Sequence, residues 1–428
     1  MKLSLFGRIS LVCVVSLGVL LGMTACGGGT VGFMWVLAGK AASNAGGNSI
    51  TGFKIDNFTG NLAAMVGSPY PSGGVNPAMA VVKPGGRFVY VVNAGDPTTT
   101  PATAGNIEQF SVGGDGVLTP QLSYQSQGTN PVWVQMSGDG NFLFVLDQQA
   151  PNDPATGAPK CISGYTNCGD VTVFGVAADT GRLTLIPNGT TKNTDGSFIT
   201  YFPVGPTPTQ MLVNSGFLLV VNGDQTIFSY TIGTGTNGQL TANTNTVQPV
   251  NADYRTASSP PLNITSITPG SGKYVYLTDG NNNYILPFTV SNGVLQSLTG
   301  GNVANFVQQA KPVWTYTDST GRTLYVLNQS STNASQPFSN ISAFAIDATT
   351  GKLTQNVGTT NPYPVGSGPV CMIEDPSNKY IYTSNSIDST VTGYEINKTT
   401  GELNVLRRGT TFSVTGKPSC LVVSGNIN

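Results

Sequence analysis

The stretch ISAFAIDATTGKL, residues 341–353, alternates apolar and polar side chains, turns at DATTG (347–351) and begins a second strand. Such period-2 patterning around a glycine-containing turn is typical of a β-hairpin. The pattern recurs, for example as VTGYEINKTTGEL at residues 391–403, and seven copies can be counted. Its aromatic position is held by Phe53, Phe110, Phe174, Tyr230, Phe288, Phe344 and Tyr394, and the leucine after its turn by Leu62, Leu118, Leu183, Leu240, Leu295, Leu353 and Leu403.

A second pattern falls between these copies, and NPAMAVVKPGGRFVYVVN at residues 76–93 is its clearest example. It contains a proline, an apolar strand, a tight turn and a strand that ends in Asn or Asp. The prolines are Pro77, Pro131, Pro208, Pro261, Pro312, Pro369 and Pro418. Each repeat thus holds four short strands, A to D, which is typical of a propeller blade. We therefore predict an all-β fold, a seven-bladed β-propeller with four antiparallel strands per blade.

The two ends of the chain predict how the ring closes. The segment GFMWVLAG (32–39) matches strand B without a preceding strand A, whereas KPSCLVVSG (417–425) matches strand A without a strand B. Together the N- and C-terminal segments complete the last blade and remove an open sheet edge. Cys371 and Cys420 occupy equivalent positions in the last two A strands, so we predict a disulfide between them; two free buried thiols are the alternative.

The N-terminus resembles an export signal. Lys2 and Arg8 form a short basic region before an apolar run (9–22) that is too short to span a membrane comfortably. The segment MTAC (23–26), followed by three glycines, resembles a bacterial lipobox. We predict a signal peptide at residues 1–25, a lipidated Cys26 with a short linker at 26–32, and a propeller at 33–428. An ordinary secretory peptide is the alternative. Either would export the chain to an oxidising compartment of the bacterial cell envelope or outside the cell, where a local Cys161–Cys168 disulfide is expected.

Composition excludes several kinds of site. Charged residues make up 9% of the 428 residues, the net charge is −1 and histidine is absent. No basic surface for nucleic acid is indicated, and the commonest general base and metal ligand is missing. We predict no cofactor and no metal site, although Ca²⁺ bound by carboxylates is conceivable without a specific motif.

The long loops predict a working surface. In a propeller the D–A and B–C loops share one face, here named the loop-rich face, and the A–B and C–D turns share the other, the short-turn face. The long segments are the B–C loops 94–106, 148–170 and 329–340 and the D–A loops 187–207 and 243–260. Long loops in a compact domain are often functional, although tolerated insertions are the alternative. A lipid on Cys26 would hold the short-turn face toward the membrane and the loop-rich face outward.

The strand-B endings YVVN (90–93), YVLN (325–328) and YTSN (382–385) resemble YVTN-type repeats. Over the whole mature chain the repeats are similar to the lactonase-type seven-bladed propeller family, related to 6-phosphogluconolactonase and carboxymuconate cyclase. The resemblance implies lactone hydrolysis. That family tends to place an Arg-His pair after the strand-A proline and an acidic residue after the strand-B Asn. Here both positions are uncharged in every blade, as in Val132-Trp133 and Gln148.

Few residues remain for chemistry. Lactone hydrolysis needs a base to activate water and a group to hold the oxyanion. Asp147 and Asp279, which end B strands, are the candidate catalytic residues; capping of the following turn is their alternative role. Candidate ligand-binding residues at the channel are Trp133, Trp314, Lys311 and Lys417, where each Trp could stack on a sugar or simply pack.

These observations favour a binding or interaction module that acts through the loop-rich face. The expected partner is a small molecule, a carbohydrate or an envelope protein, and the membrane is contacted through the lipid only. A lactone hydrolase with a histidine-free site and a structural component of the cell envelope are the alternatives.

Overall fold

The computed structural model describes residues 29–39, 48–100, 102–233, 237–250, 254–298, 300–305, 311–329, 338–355 and 361–425. Within these ranges the chain forms strands and no α-helix. The first half contains β1 (Thr30–Gly39), β2 (Ser49–Asp56), β3 (Leu62–Ala64), β4 (Tyr70–Pro71), β5 (Pro77–Val82), β6 (Phe88–Asn93), β7 (Asn106–Val112), β8 (Leu118–Tyr124), β9 (Thr129–Met136), β10 (Phe142–Gln149), β11 (Asp170–Val176), β12 (Leu183–Leu185), β13 (Phe202–Pro203), β14 (Gln210–Asn214), β15 (Phe217–Val221), β16 (Thr226–Ile232) and β17 (Leu240–Pro249). The second half contains β18 (Ile264–Pro269), β19 (Tyr274–Asp279), β20 (Tyr284–Ser291), β21 (Val294–Ser297), β22 (Val303–Ala304), β23 (Lys311–Thr317), β24 (Thr323–Gln329), β25 (Asn340–Ile346), β26 (Leu353–Gln355), β27 (Tyr363–Pro364), β28 (Pro369–Glu374), β29 (Tyr380–Asn385), β30 (Thr390–Ile396), β31 (Leu403–Val405), β32 (Thr411–Ser413) and β33 (Lys417–Gly425).

These strands form seven antiparallel sheets, which confirms the predicted seven-bladed propeller. Blade 1 has the order β33-β1-β2-β3 from the innermost strand outward, and blades 2 to 7 begin with β5, β9, β14, β18, β23 and β28. In five blades the outermost strand is split into two short segments that both pair with strand C, as β3 and β4 pair with β2. The sequence pattern did not predict this split.

Blade 1 closes the ring as predicted. Strand β1 lies between β2 and β33, with Trp35 opposite Val422 and Val36 opposite Leu421. Trp35 is fully buried. The predicted disulfide between Cys371 and Cys420 joins β28 to β33, with their Cα atoms 5.1 Å apart. Main-chain pairing and a covalent bond therefore both hold the closing blade.

A repeated hydrogen bond explains why both sequence patterns recur. The aromatic side chain in the middle of strand B donates to the carbonyl of the glycine in the C–D turn of the next blade. These bonds join Trp35 to Gly116 (3.1 Å), Tyr90 to Gly181 (2.5 Å), Tyr276 to Gly351 (3.0 Å), Tyr325 to Gly401 (2.9 Å) and Tyr382 to Gly60 (2.6 Å). Between blades 4 and 5 the donor is Gln248, whose Nε2 lies 2.9 Å from the Gly293 oxygen. The pattern thus encodes contacts between blades as well as strands.

The glycine in this turn is required by geometry. At Gly351 φ is +68°, and a Cβ atom would lie 2.4 Å from the ring of Tyr274 in the neighbouring blade. Only glycine avoids both the left-handed strain and this overlap.

Some predicted segments differ from the structure or lie outside it. The predicted loop 243–260 is shorter than expected because β17 continues to Pro249. Strand β1 begins at Thr30, inside the predicted linker 26–32. The predicted signal peptide, Cys26 and most of the B–C loop 329–340 lie outside the described residues. In the described part of the chain, no helix has the length and apolar character needed to cross a membrane.

Candidate functional site

The residues that end strand B are buried polar side chains in six blades. They are Asn93, Asp147, Asn222, Asp279, Asn328 and Asn385, and all are fully buried. In blade 6, for example, Asn328 Nδ2 donates to Asn340 Oδ1 at 2.9 Å and to Ser342 Oγ at 3.1 Å. Blade 7 repeats this arrangement, with Asn385 donating to Thr390 and Thr392. The side chain at this position therefore ties strand B to strand C below the loop-rich face.

Asp279, a predicted catalytic residue, caps the loops around it. Its Oδ1 accepts hydrogen bonds from the backbone N–H groups of Asn263 (3.2 Å), Asn281 (3.0 Å) and Asn282 (3.2 Å). Its Oδ2 accepts from Asn282 Nδ2 at 2.6 Å and from the Tyr254 hydroxyl at 2.5 Å. These partners and its full burial are those of a side chain that caps the surrounding loops, and a catalytic role of Asp279 stays a prediction.

Asp147, the other predicted catalytic residue, faces a second carboxyl group. Asp170, directly opposite on β11, is also fully buried. The Thr172 hydroxyl lies 3.3 Å from Oδ2 of each aspartate, and Ser126 Oγ donates to Asp147 Oδ1 at 2.6 Å. Burial raises the pKa of both carboxyls above the ordinary range, and the neighbouring Asp147 raises that of Asp170 further. Two buried carboxyls this close retain at least one proton near neutral pH.

The backbone packs directly onto this acid pair. A Cβ atom on Gly128 would lie 2.2 Å from Asp170 Oδ1 and 2.5 Å from the Asp147 Cβ. Asp170 Oδ1 has no hydrogen-bond partner. Gly128 also lines a cavity of about 370 Å³ on the loop-rich face. The acid pair therefore lies directly beneath the floor of a surface cavity.

Two cavities lie side by side on the loop-rich face. The first, beside blade 2, has residues 94, 97, 102–105 and 128–130 in its wall. The second, of about 400 Å³, lies between the B–C loop of blade 3 and Pro206-Thr207. Gln149 lines both cavities, so they adjoin at this side chain, and together they are here named the groove. All the residues that line it are uncharged, and Gln148, Asn152, Asn167 and Asn130 supply amide groups.

The two loops of blade 3 form a rigid wall beside the groove. The predicted disulfide between Cys161 and Cys168 is present, with a Cα–Cα distance of 5.7 Å. Asp153 pairs with Lys160 Nζ at 3.1 Å and accepts from the backbone and hydroxyl of Thr194 in the D–A loop at 2.9 and 2.7 Å. Tyr201 OH donates to the Pro151 carbonyl at 3.2 Å.

These bonds hold the pKa of the Asp153 carboxyl well below its usual range, with the Thr194 hydroxyl as the largest cause. Behind them, Ala150, Cys168, Ile199 and Tyr201 form a small apolar core of their own. The segments 148–170 and 187–207, here named the platform, are therefore one packed unit.

Trp133 and Trp314, predicted to bind ligand, contact each other. They lie on the innermost strands of blades 3 and 6, on opposite sides of the central channel, with ring centroids 5.4 Å apart and ring planes inclined by 30°. Lys311 and Lys417 are exposed at the first residues of β23 and β33, on the loop-rich face. Among the described residues, no ion pair joins either lysine to Asp147 or Asp279, and both aspartates are buried.

Sequence reasoning missed Asp170, Gly128 and Gln149. Asp170 and Gln149 stand near the ends of the long loop 148–170, where no repeat pattern marks them. A signal for Asp170 existed, because Asn106 and Asn340 open strand C at the same position in other blades. In the residues that the structure describes, no group of three or more His, Cys, Asp or Glu side chains could hold a metal ion.

Comparisons with known proteins confirm the predicted resemblance. The family model described as "Lactonase, 7-bladed beta-propeller" matches residues 338–420. The periplasmic gluconolactonase of Pseudomonas aeruginosa has a similar structure, with a TM-score of 0.65, 18% identity and coverage of 92% of this chain and 99% of that one. A candidate 6-phosphogluconolactonase from Bacteroides fragilis gives a TM-score of 0.67 at 19% identity, over 92% of this chain and 98% of that one. No curated protein matches the chain significantly in sequence. At these identities the likeness to solved structures establishes the fold alone.

Proposed function

We propose that the protein is an exported, lipid-anchored binding module that holds a neutral oligosaccharide in the groove on its loop-rich face. The observation that carries this proposal is the pair of adjoining cavities, about 370 and 400 Å³, that meet at Gln149. Two adjoining cavities offer places for successive units of one ligand.

The chemistry of the groove favours an uncharged polar ligand. Its lining offers amide groups from Gln148, Gln149 and Asn167 and no ionisable side chain. A site without charge has no counter-ion for a phosphate or a carboxylate, whereas amides both donate to and accept from sugar hydroxyls. The platform supports binding further, because a wall that is already ordered loses less conformational entropy when the ligand binds.

The proposal is tested by calorimetric titration with neutral cello-, malto- and chito-oligosaccharides and, for comparison, oligogalacturonate. We expect Gln149→Ala to weaken the best neutral ligand about tenfold, because it removes contacts in both cavities. Gln121→Ala, on the exposed outer strand of blade 2, is the matched control. A failure of every neutral sugar to bind, or equal affinity for both variants, would reject the groove as the site.

The direction of the anchor supports an outward groove. The carbonyl of Gly29 accepts a hydrogen bond from Asn57 N at 2.8 Å, in the C–D turn of blade 1 on the short-turn face. A lipid three residues earlier, on Cys26, would hold that face toward the membrane. Protease treatment of intact cells should therefore cleave an engineered site in loop 148–170 and spare one in the A–B turn at Asp139. Equal cleavage of both sites would argue against this orientation.

Lactone hydrolysis is a second candidate, favoured by the acid pair under the groove. A carboxyl with a raised pKa near a cavity is a candidate base. In that reaction Asp147 or Asp170 would accept a proton from water, the hydroxide would attack the lactone carbonyl carbon, and the ring C–O bond would break to give a hydroxy acid. Hydrolysis of glucono-δ-lactone by wild type, Asp147→Asn and Asp170→Asn tests it, with Asp279→Asn in blade 5 as the comparison. Absent activity, or activity that neither change affects, excludes this version.

A further inference from the structure

A separate cavity lies inside the ring. Its volume is about 340 Å³, and the innermost strands of all seven blades line it. In each strand the lining begins near the level of Trp133 and Trp314 and continues toward the A–B turn, for example from Met79 to Val82. Because A strands run from the loop-rich face to the short-turn face, this cavity occupies the half of the channel nearer the short-turn face. The stacked tryptophans lie at its inner end, so it is distinct from the groove.

One arc of the cavity wall, from blade 3 to blade 6, carries polar side chains that already accept hydrogen bonds within the protein. Side-chain oxygens on the A strand of one blade accept hydrogen bonds from backbone N–H groups on the A strand of the next blade. Gln135 Oε1 accepts from Val213 N at 2.6 Å, Gln210 Oε1 accepts from Ile267 N at 3.1 Å, and Ser266 Oγ accepts from Thr315 N at 2.9 Å. These bridges fix the polar arc in place.

The opposite arc, from blades 7, 1 and 2, is wholly apolar. It is lined by Met79 to Val82, Cys371 to Ile373 and Leu421 to Val423, and it includes one end of the disulfide. The indole Nε1 of Trp133 is buried and has no hydrogen-bond partner. A buried donor without a partner costs about 1–3 kcal/mol. The Trp133 ring is itself only partly buried, so a tilt of the indole would expose the N–H to an acceptor on a ligand and recover this cost. The lining contains no charged side chain.

We infer that this cavity binds an uncharged, mostly apolar molecule that carries a hydrogen-bond acceptor. The apolar part lies against blades 7, 1 and 2, and the acceptor takes the N–H of Trp133. The volume falls within the range of small-molecule sites, about 300–1,000 Å³. This site goes beyond the proposed sugar groove, and neither depends on the other.

The test uses the full mature protein and the neutral fluorescent ketone 6-propionyl-2-(dimethylamino)naphthalene. We expect saturable 1:1 binding with blue-shifted emission and quenching of tryptophan fluorescence. Trp133→Phe should weaken binding about fivefold, the equivalent of one neutral hydrogen bond. Val423→Phe, which fills the apolar arc, should weaken binding at least tenfold. Val405→Phe is the matched control, because Val405 is 71% exposed on the outer strand of blade 7.

Circular dichroism establishes that each variant is folded. Should Val423→Phe fail to fold, Ile373→Phe replaces it, and the tryptophan quenching in wild type gives an independent readout. Gln149→Ala should leave probe binding unchanged, which separates this site from the groove. Absence of saturable binding to wild type, or unchanged affinity in the folded cavity-filling variant, overturns the inference.

Discussion

Replacing Tyr325 by phenylalanine isolates one of the hydrogen bonds that join neighbouring blades. The Tyr325 hydroxyl donates to the Gly401 carbonyl at 2.9 Å, and the ring is fully buried between blades 6 and 7. The change removes one oxygen and leaves the apolar packing of the ring intact. It also leaves the buried Gly401 carbonyl without this donor.

The expected loss of stability has to be worked out from the missing hydrogen bond and from the carbonyl that is left without a donor. A buried neutral hydrogen bond contributes about 0.5–1.5 kcal/mol net, and an orphaned buried acceptor costs about 1–3 kcal/mol. Because the Gly401 acceptor is left orphaned, the second value applies, and we expect Tyr325→Phe to lower the free energy of unfolding by about 1–3 kcal/mol. Urea unfolding followed by both circular dichroism and tryptophan fluorescence measures it, since coincident curves justify a two-state analysis.

Tyr165→Phe is the matched control. Its hydroxyl donates to Asp224 at 2.6 Å, but at the surface, where water replaces the lost partner. We expect this control to change stability by less than about 0.5 kcal/mol. Equal effects of the two substitutions would refute the claim that the turn glycine and the strand-B aromatic residue act as an inter-blade bond.

Three further predictions address the ring and the acid pair. Because the pKa values of Asp147 and Asp170 are raised, the folded state holds protons that the unfolded state has released, and the free energy of unfolding falls as pH rises from about 4. Relative to wild type, the free energy of unfolding of Asp170→Asn should therefore be higher at pH 8 than at pH 4 by at least about 1 kcal/mol, and parallel pH profiles would contradict this. Removing the disulfide by Cys371→Ser with Cys420→Ser opens a link of sequence separation 49, for which chain entropy gives about 4 kcal/mol, so urea unfolding should show a loss of about 2–4 kcal/mol. Gly351→Ala should cost about 1–3 kcal/mol from the left-handed conformation and the contact with the neighbouring ring, whereas an unchanged unfolding midpoint would show that the turn relaxes freely.

The sequence predicts most of the fold because its signals are local and repeated. Alternation along each strand and the prolines before strand A are short-range patterns, and seven copies make them unambiguous. The pairing of Trp35 with Val422 also followed from sequence, since each end of the chain lacks one strand that the other supplies. The Cys371–Cys420 bond followed from their equivalent positions.

The site was less predictable because it depends on neighbours across the sheet and between blades. Asp147 was singled out, but its partner Asp170 lies at the far end of a long loop. Trp133 and Trp314 were assigned to the channel, yet their mutual stacking depends on two blades that face each other across the ring. The groove has no sequence pattern at all, since loops from blades 2, 3 and 4 build it together.

The insertion of β1 between β2 and β33 has a consequence for biosynthesis. Trp35 emerges from the ribosome long before its neighbour Val422 is made. Such distant pairing is slow to form, and until it forms one edge of β1 is open to pairing with other chains. A nascent chain would keep this edge of β1 unpaired until β33 is made. Factors that shield an exposed strand edge are therefore expected to matter more for this molecule than for one whose sheets are complete in order of synthesis.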